Sequence, residues 1–174
     1  MVGRIQKEKA LIETLIFFLK LNLLLLPFYA IIYFDLSYVP LQIGFAAVVN
    51  FIIKLFGLQI ERMDYFLFLG EKKFPIDISF DCIGWKSCYS LLALVIASPG
   101  KSKNKINFLL KWIPILFVIN LMRIIIVILF GFAFSFSFME MIHTYVFQPL
   151  MIFIIIFVWT IFLKSYKTKF KLLG

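Results

Sequence analysis

The amino-acid sequence predicts an all-α polytopic membrane protein. We expect a bundle of about four transmembrane helices, one interfacial amphipathic helix and a small extracytoplasmic β-hairpin. Three observations carry this. The 174-residue chain is 63% hydrophobic with a mean hydropathy of +1.03 and only 16% charged residues, a balance foreign to soluble domains. Its apolar residues form long uninterrupted runs. Its positive charges cluster in short flanks between those runs, as the positive-inside bias demands.

The helices read as Ala10–Phe34, Leu41–Phe56, Ile83–Ala97, Asn107–Phe132 and His143–Leu163. The first run is too long for a secretory signal and has no small-residue cleavage site, so it is expected to belong to the mature protein. Residues 58–81 differ from everything around them. Phe66 and Phe68, then Phe74, Ile76, Ile78 and Phe80, alternate with other residues about Gly70-Glu71-Lys72-Lys73, the period-two pattern of a hairpin. Pro99-Gly100 stops the third helix. The whole chain, 1–174, reads as a single membrane domain with the hairpin inside it.

Charge placement sets an orientation. The net charge of +9 sits in Arg4, Lys7 and Lys9, in Lys101, Lys103 and Lys105, and in Lys164, Lys167, Lys169 and Lys171. This is a membrane pattern and gives no reason to expect nucleic acid. With the 101–105 loop and the C-terminal tail cytoplasmic, two spans fit between them and the hairpin lies outside. An N-terminus also inside then requires one of the first two apolar segments not to cross. Leu41–Phe56 is the shorter and carries Gln42, Asn50 and Lys54, so it is expected to lie in the outer interface. The alternative is that it crosses and the N-terminus lies outside.

Arg123 stands within the apolar run from Ile113 to Phe134. A guanidinium keeps its charge, and placing it in hydrocarbon costs at least about 2.5–3.5 kcal/mol. Asn120, three residues earlier, shares its helix face. This orientation puts Cys82 and the chain's single histidine, His143, at outer helix starts. Arg123 would then lie about 13 Å below the end of its helix at Phe132, deeper than either.

A thiol in the first turn of a helix is favoured as thiolate by the helix dipole, and Lys86 adds a cation, while Asp81 opposes both unless it caps the helix. Gly84 leaves room beside the sulfur for a substrate backbone. Cys88 reads as packing. Read singly, Cys82 is compatible with an inert small hydrophobe, His143 with a solvated structural role, and Arg123 with an ion pair to Glu140 or Asp81. The spacing of the two cysteines excludes a mutual disulfide, and no metal or organic cofactor is expected.

At Asp81-Cys82-Ile83-Gly84-Trp85-Lys86-Ser87 the chain resembles the exosortase/archaeosortase family of membrane cysteine transpeptidases. Asn120-Leu121-Met122-Arg123 is similar to that family's Asn-x-x-Arg, and His143 opens the last helix. An amphipathic helix ending Lys54-Leu55-Phe56-Gly57 precedes the hairpin, and the likeness covers about residues 40–160. Ile83 stands where the family usually has Ser or Thr, and Asp81 where it has a small residue. The resemblance implies that Cys82 is a nucleophile forming a thioester, that Arg123, held by Asn120, stabilises an oxyanion, and that His143 is the general acid and base, with Gly84 and Lys86 in support. It implies membrane-anchored surface proteins with C-terminal sorting signals as substrates, and a lipid or another amine or hydroxyl compound as acceptor. The site would face outward from the cell membrane, with the C-terminus cytoplasmic. Hydrolysis in place of transfer, or an acyl donor other than a protein, would use the same thiol. A reading from another class is a non-enzymatic transport or assembly subunit whose Arg123 binds an anionic headgroup.

Overall fold

The computed structural model describes residues 2–70 and 74–171. The turn residues Glu71, Lys72 and Lys73, and the side chains of Arg4, Lys7, Lys9, Lys167, Lys169 and Lys171, lie outside the described residues. The elements run α1 (Val2–Tyr33), α2 (Val39–Leu55), β1 (Ile60–Met63), β2 (Phe66–Leu69), β3 (Phe74–Asp77), a 3-10 turn (Phe80–Ile83), α3 (Trp85–Ala97), α4 (Ser102–Ala133) and α5 (Phe136–Met141). A π-helical stretch (Ile142–Phe147) then leads into α6 (Gln148–Lys171).

Among the described residues, three stretches are long and apolar enough to cross a membrane: Leu11–Tyr33, Ser102–Ala133 and Phe136–Ser165. The 23 residues of the first rise about 35 Å, enough for a hydrocarbon core of about 30 Å. Of the four expected spans, α3 is the short one, since its 13 residues reach only about 20 Å. Helix α2, with 17 residues, buries Gln42, Phe45, Ala46, Val49 and Ile53 along one stripe and exposes Val48, Phe51 and Leu55. Burial is one-sided, but the exposed face is itself largely apolar, with Lys54 as its charge, so the polar outer face expected of an amphipathic helix is not seen.

The hairpin expected over 58–81 is a three-stranded antiparallel sheet in the order β1-β2-β3. The additional strand, Ile60-Glu61-Arg62-Met63, folds back at Asp64-Tyr65, where Asp64 takes φ +53, a conformation that Asp tolerates better than most residues. Leu67 and Leu69 face the core, so the inward set of β2 is its leucines, and Phe66 and Phe68 are half-buried on the other side.

The chain forms two compact units. One comprises residues 1–36, 89–113 and 155–174. Here Tyr89 donates to the Leu24 carbonyl at 2.7 Å, and Trp159 Nε1 donates to Ser98 Oγ at 2.8 Å while stacking on Phe17. The other comprises residues 37–88 and 114–154. Its core joins Phe45, Val49 and Ile53 of α2 to Ile60, Leu67 and Leu69 of the sheet, to Ile78 and Ile83, and to Ile124 and Ile128 of α4. Every residue singled out for chemistry in the sequence belongs to this second unit.

Candidate functional site

Cys82 lies in the 3-10 turn and not in the first turn of α3, which begins at Trp85. The expected helix start at Ile83 is displaced because Gly84 adopts φ +88 and separates the two. The turn is closed by Cys82 N–H donating to Ser79 O at 2.9 Å, and Ser79 Oγ donates to Cys82 Sγ at 3.3 Å. A hydroxyl donor on the sulfur is what a developing thiolate requires. Sequence reasoning missed Ser79; its only signal is a hydroxyl residue three positions before the cysteine.

The neighbouring charges pair with each other. Lys86 Nζ meets Asp81 Oδ2 at 2.6 Å, and Trp85 Nε1 donates to Asp81 Oδ1 at 3.3 Å. The cation expected to assist the thiol is thus engaged by the carboxylate expected to oppose it.

Asn120 is 1% exposed, and its Nδ2 donates to the Cys82 carbonyl at 2.7 Å. The residue expected to hold Arg123 therefore holds the backbone of Cys82. Gly84 is what admits it. A Cβ there would sit 2.6 Å from Asn120 Cγ and 2.8 Å from Nδ2. The room expected for a substrate is filled by this amide.

The bond between Asn120 and Cys82 also places the turn at the level of Asn120 on α4. Cys82 is consequently within about one turn of the arginine along α4, and the difference in level between them read from the sequence does not arise. The guanidinium of Arg123 lies within electrostatic reach of both the Cys82 thiol and the His143 ring. Its Nε is buried without a hydrogen-bond partner, and among the described residues it makes no ion pair with Glu140 or Asp81.

His143 is not the first residue of the last helix, because the helical stretch begins at Phe136. Ser135 caps it, its side chain accepting from Phe138 N–H at 3.2 Å. His143 instead lies in the π-helical stretch, a widening of the helix that recurs at functional sites. It borders a cavity of about 340 Å³ with Cys82, Asp77, Glu140 and the apolar side chains of Ile124, Val127 and Ile128. A second cavity, of about 490 Å³, is lined by Leu69, Gly70 and Phe74 together with Phe132, Phe136 and Met139. Among the described residues no three His, Cys, Asp or Glu side chains gather in an arrangement that could hold a metal ion.

Fold and site together define an integral membrane protein in which a thiol and an imidazole border one cavity and a guanidinium lies within electrostatic reach of both. The chain belongs to the transmembrane exosortase family, whose family model matches residues 7–162. No curated protein matches the chain significantly, and no solved structure does. Members of this family are enzymes of the membrane transpeptidase kind, and that is the kind of protein the match implies.

Proposed function

We propose that this protein cleaves C-terminal sorting signals of membrane-anchored surface proteins through a thioester on Cys82 and passes the new C-terminus to a lipid or other acceptor. The observation that carries the reading is the shared cavity. Cys82 and His143 border it, and Arg123 sits within electrostatic reach of both with a donor unspent.

The steps balance without a further reactant. His143 takes the thiol proton as Cys82 Sγ attacks the scissile carbonyl carbon, and the carbonyl oxygen becomes an oxyanion held by the Arg123 guanidinium, strongly so in a low-dielectric site. The C–N bond breaks as His143 gives a proton to the leaving amine, which departs with the substrate's own transmembrane helix. His143 then takes a proton from an acceptor hydroxyl or amine, or from water. The acceptor displaces the thiolate and the thioester is consumed.

The site is read as facing outward and recessed in the bilayer. With the 101–105 loop cytoplasmic, α3 has only to reach from that side to a cysteine sunk to the level of Asn120. About 20 Å of helix suits that span better than a full crossing. A membrane-embedded substrate helix then enters sideways, and its junction with the outer segment meets the sulfur.

The test is mass spectrometry of surface-protein C-termini in cells carrying the wild type or Cys82→Ala at equal expression. Retention of C-terminal helices and basic tails only in the variant supports the reading, and the mass added to wild-type C-termini separates transfer from hydrolysis. Identical C-termini, with cells still impaired by Arg123→Ala, would favour the headgroup-binding alternative.

A further inference from the structure

Four consecutive residues, Pro75, Ile76, Asp77 and Ile78, border the cavity that holds Cys82 and His143. Side chains of a strand alternate between its two faces, so a cavity touching four in a row runs along the strand's edge. β3 is the terminal strand of the sheet, with β2 on its other side. The edge facing the cavity is therefore the free one.

The register shows what this edge presents. Ile78 N–H donates to Tyr65 O at 3.1 Å, and the β2–β3 pairing makes Ile78 with Tyr65, Ile76 with Leu67 and Phe74 with Leu69 the hydrogen-bonded pairs. The N–H and C=O of Asp77 and the C=O of Pro75 then point away from β2. Pro75 sits where its missing N–H costs no ladder bond, as prolines in edge strands do.

We infer that the segment of the substrate next to the scissile bond docks as a fourth strand on β3, held by the backbone of Asp77 and the carbonyl of Pro75 and carried by that register past Cys82 Sγ. This rests on the transpeptidase reading and adds how the substrate is held. An extended peptide is the occupant because its own alternating N–H and C=O groups can replace water on the outward backbone groups of this exposed edge. A lipid chain in the same apolar cavity would leave them without partners, and unpaired groups away from water are costly. Main-chain bonding supplies affinity, and alternate side chains of the docked strand would meet the apolar stripe of Ile124, Val127 and Ile128, which supplies selectivity.

Proline at the edge is the test. Asp77→Pro removes the outward N–H without touching the β2 ladder, and Asp77→Asn is measured beside it so that their ratio isolates the N–H. Arg62→Pro is the control, because Gly70 N–H donating to Gln59 O makes Arg62 an outward position on the opposite edge. Processing of surface-protein C-termini should fall about tenfold from Asp77→Asn to Asp77→Pro and stay at the wild-type level in Arg62→Pro. The rate at which a small alkylating reagent labels Cys82 reports whether each variant is folded.

A photoreactive phenylalanine analogue replacing Phe136, which borders the cavity, gives a readout independent of turnover in a Cys82→Ala background. It should crosslink residues just ahead of a C-terminal hydrophobic helix. Equal processing in Asp77→Pro and Asp77→Asn overturns the docking while leaving the chemistry standing. Should Asp77→Pro not fold, the crosslink decides. Normal processing by Cys82→Ala sinks the transpeptidase reading, and the crosslink then decides the docking alone: a peptide keeps it, a lipid or no adduct overturns it.

Discussion

Asn120 Nδ2 and the Cys82 carbonyl oxygen meet at 2.7 Å, and this bond ties the turn carrying the thiol to the helix carrying the arginine. Asn120 is buried, so its loss exposes no new water to the orphaned carbonyl. We expect Asn120→Ala to lower stability by about 1–3 kcal/mol and to lower processing as well. Asn120→Asp should be worse than Asn120→Ala, since a carboxylate offers the carbonyl no donor. Thermal unfolding in detergent, with Cys82 alkylation kinetics, checks both. Equal behaviour of the two variants would show that the amide does not hold the turn.

Gly84→Ala tests the same joint from the other side. The added Cβ meets a buried, hydrogen-bonded amide at 2.6 Å, and φ +88 is itself strained for alanine. The two effects together should cost about 2 kcal/mol or more. A wild-type unfolding midpoint in Gly84→Ala would contradict the tight approach.

Arg123 should show opposite effects on stability and activity. Its Nε is buried without a partner and the residue is half-buried, so Arg123→Ala removes a partly desolvated charge that no ion pair among the described residues compensates. The unfolding midpoint is expected to stay equal or rise. Processing is expected to fall by about a hundredfold to a thousandfold, the usual loss when one oxyanion donor is removed. Arg123→Lys keeps the charge and loses the fork, so it should fall between the two. A variant destabilised along with its activity would mark Arg123 as a structural residue.

Ser79→Ala removes the hydroxyl that donates to Cys82 Sγ at 3.3 Å. The turn keeps its backbone bond, so stability should change little. Alkylation of Cys82 at fixed neutral pH should slow by about threefold to tenfold, as the loss of one hydrogen bond to a charged acceptor implies. An unchanged rate would mean that the hydroxyl does not serve the thiolate.

Much of this arrangement was legible in the sequence. The apolar runs of α1, α4 and α6 announce themselves because lipid-facing helices need no periodicity beyond length. Arg123 stands out as a charge inside such a run, whereas Cys82 and His143 are singled out by their places at expected helix starts and by the family resemblance. What stayed hidden depends on partners that leave no side-chain signature. Asn120 serves a backbone carbonyl, so spacing pointed to Arg123 as its partner. The role of Gly84 follows from a close approach between segments 36 residues apart. Strand β1 is Ile-Glu-Arg-Met, too short and too polar to stand out before its pairing with β2 is known. The start of the last helical stretch at Phe136 was signalled by Ser135, but His143, the first polar break before a long apolar run, suggested a start seven residues later.

Asp77 supplies a pH test at the free edge of β3. Partial burial raises its carboxyl above the ordinary 3.8. The folded protein therefore holds that proton more tightly than the unfolded chain does. This contribution to stability is fully present below the unfolded value and is lost as pH rises through the raised one. Asp77→Asn cannot ionise and escapes the loss. Its unfolding midpoint should match the wild type below 3.8 and lie modestly above it at neutral pH, the difference opening between the two values. A midpoint series across that range measures it. A difference that is constant with pH, or of opposite sign, would mean that Asp77 gains a compensating partner on ionisation.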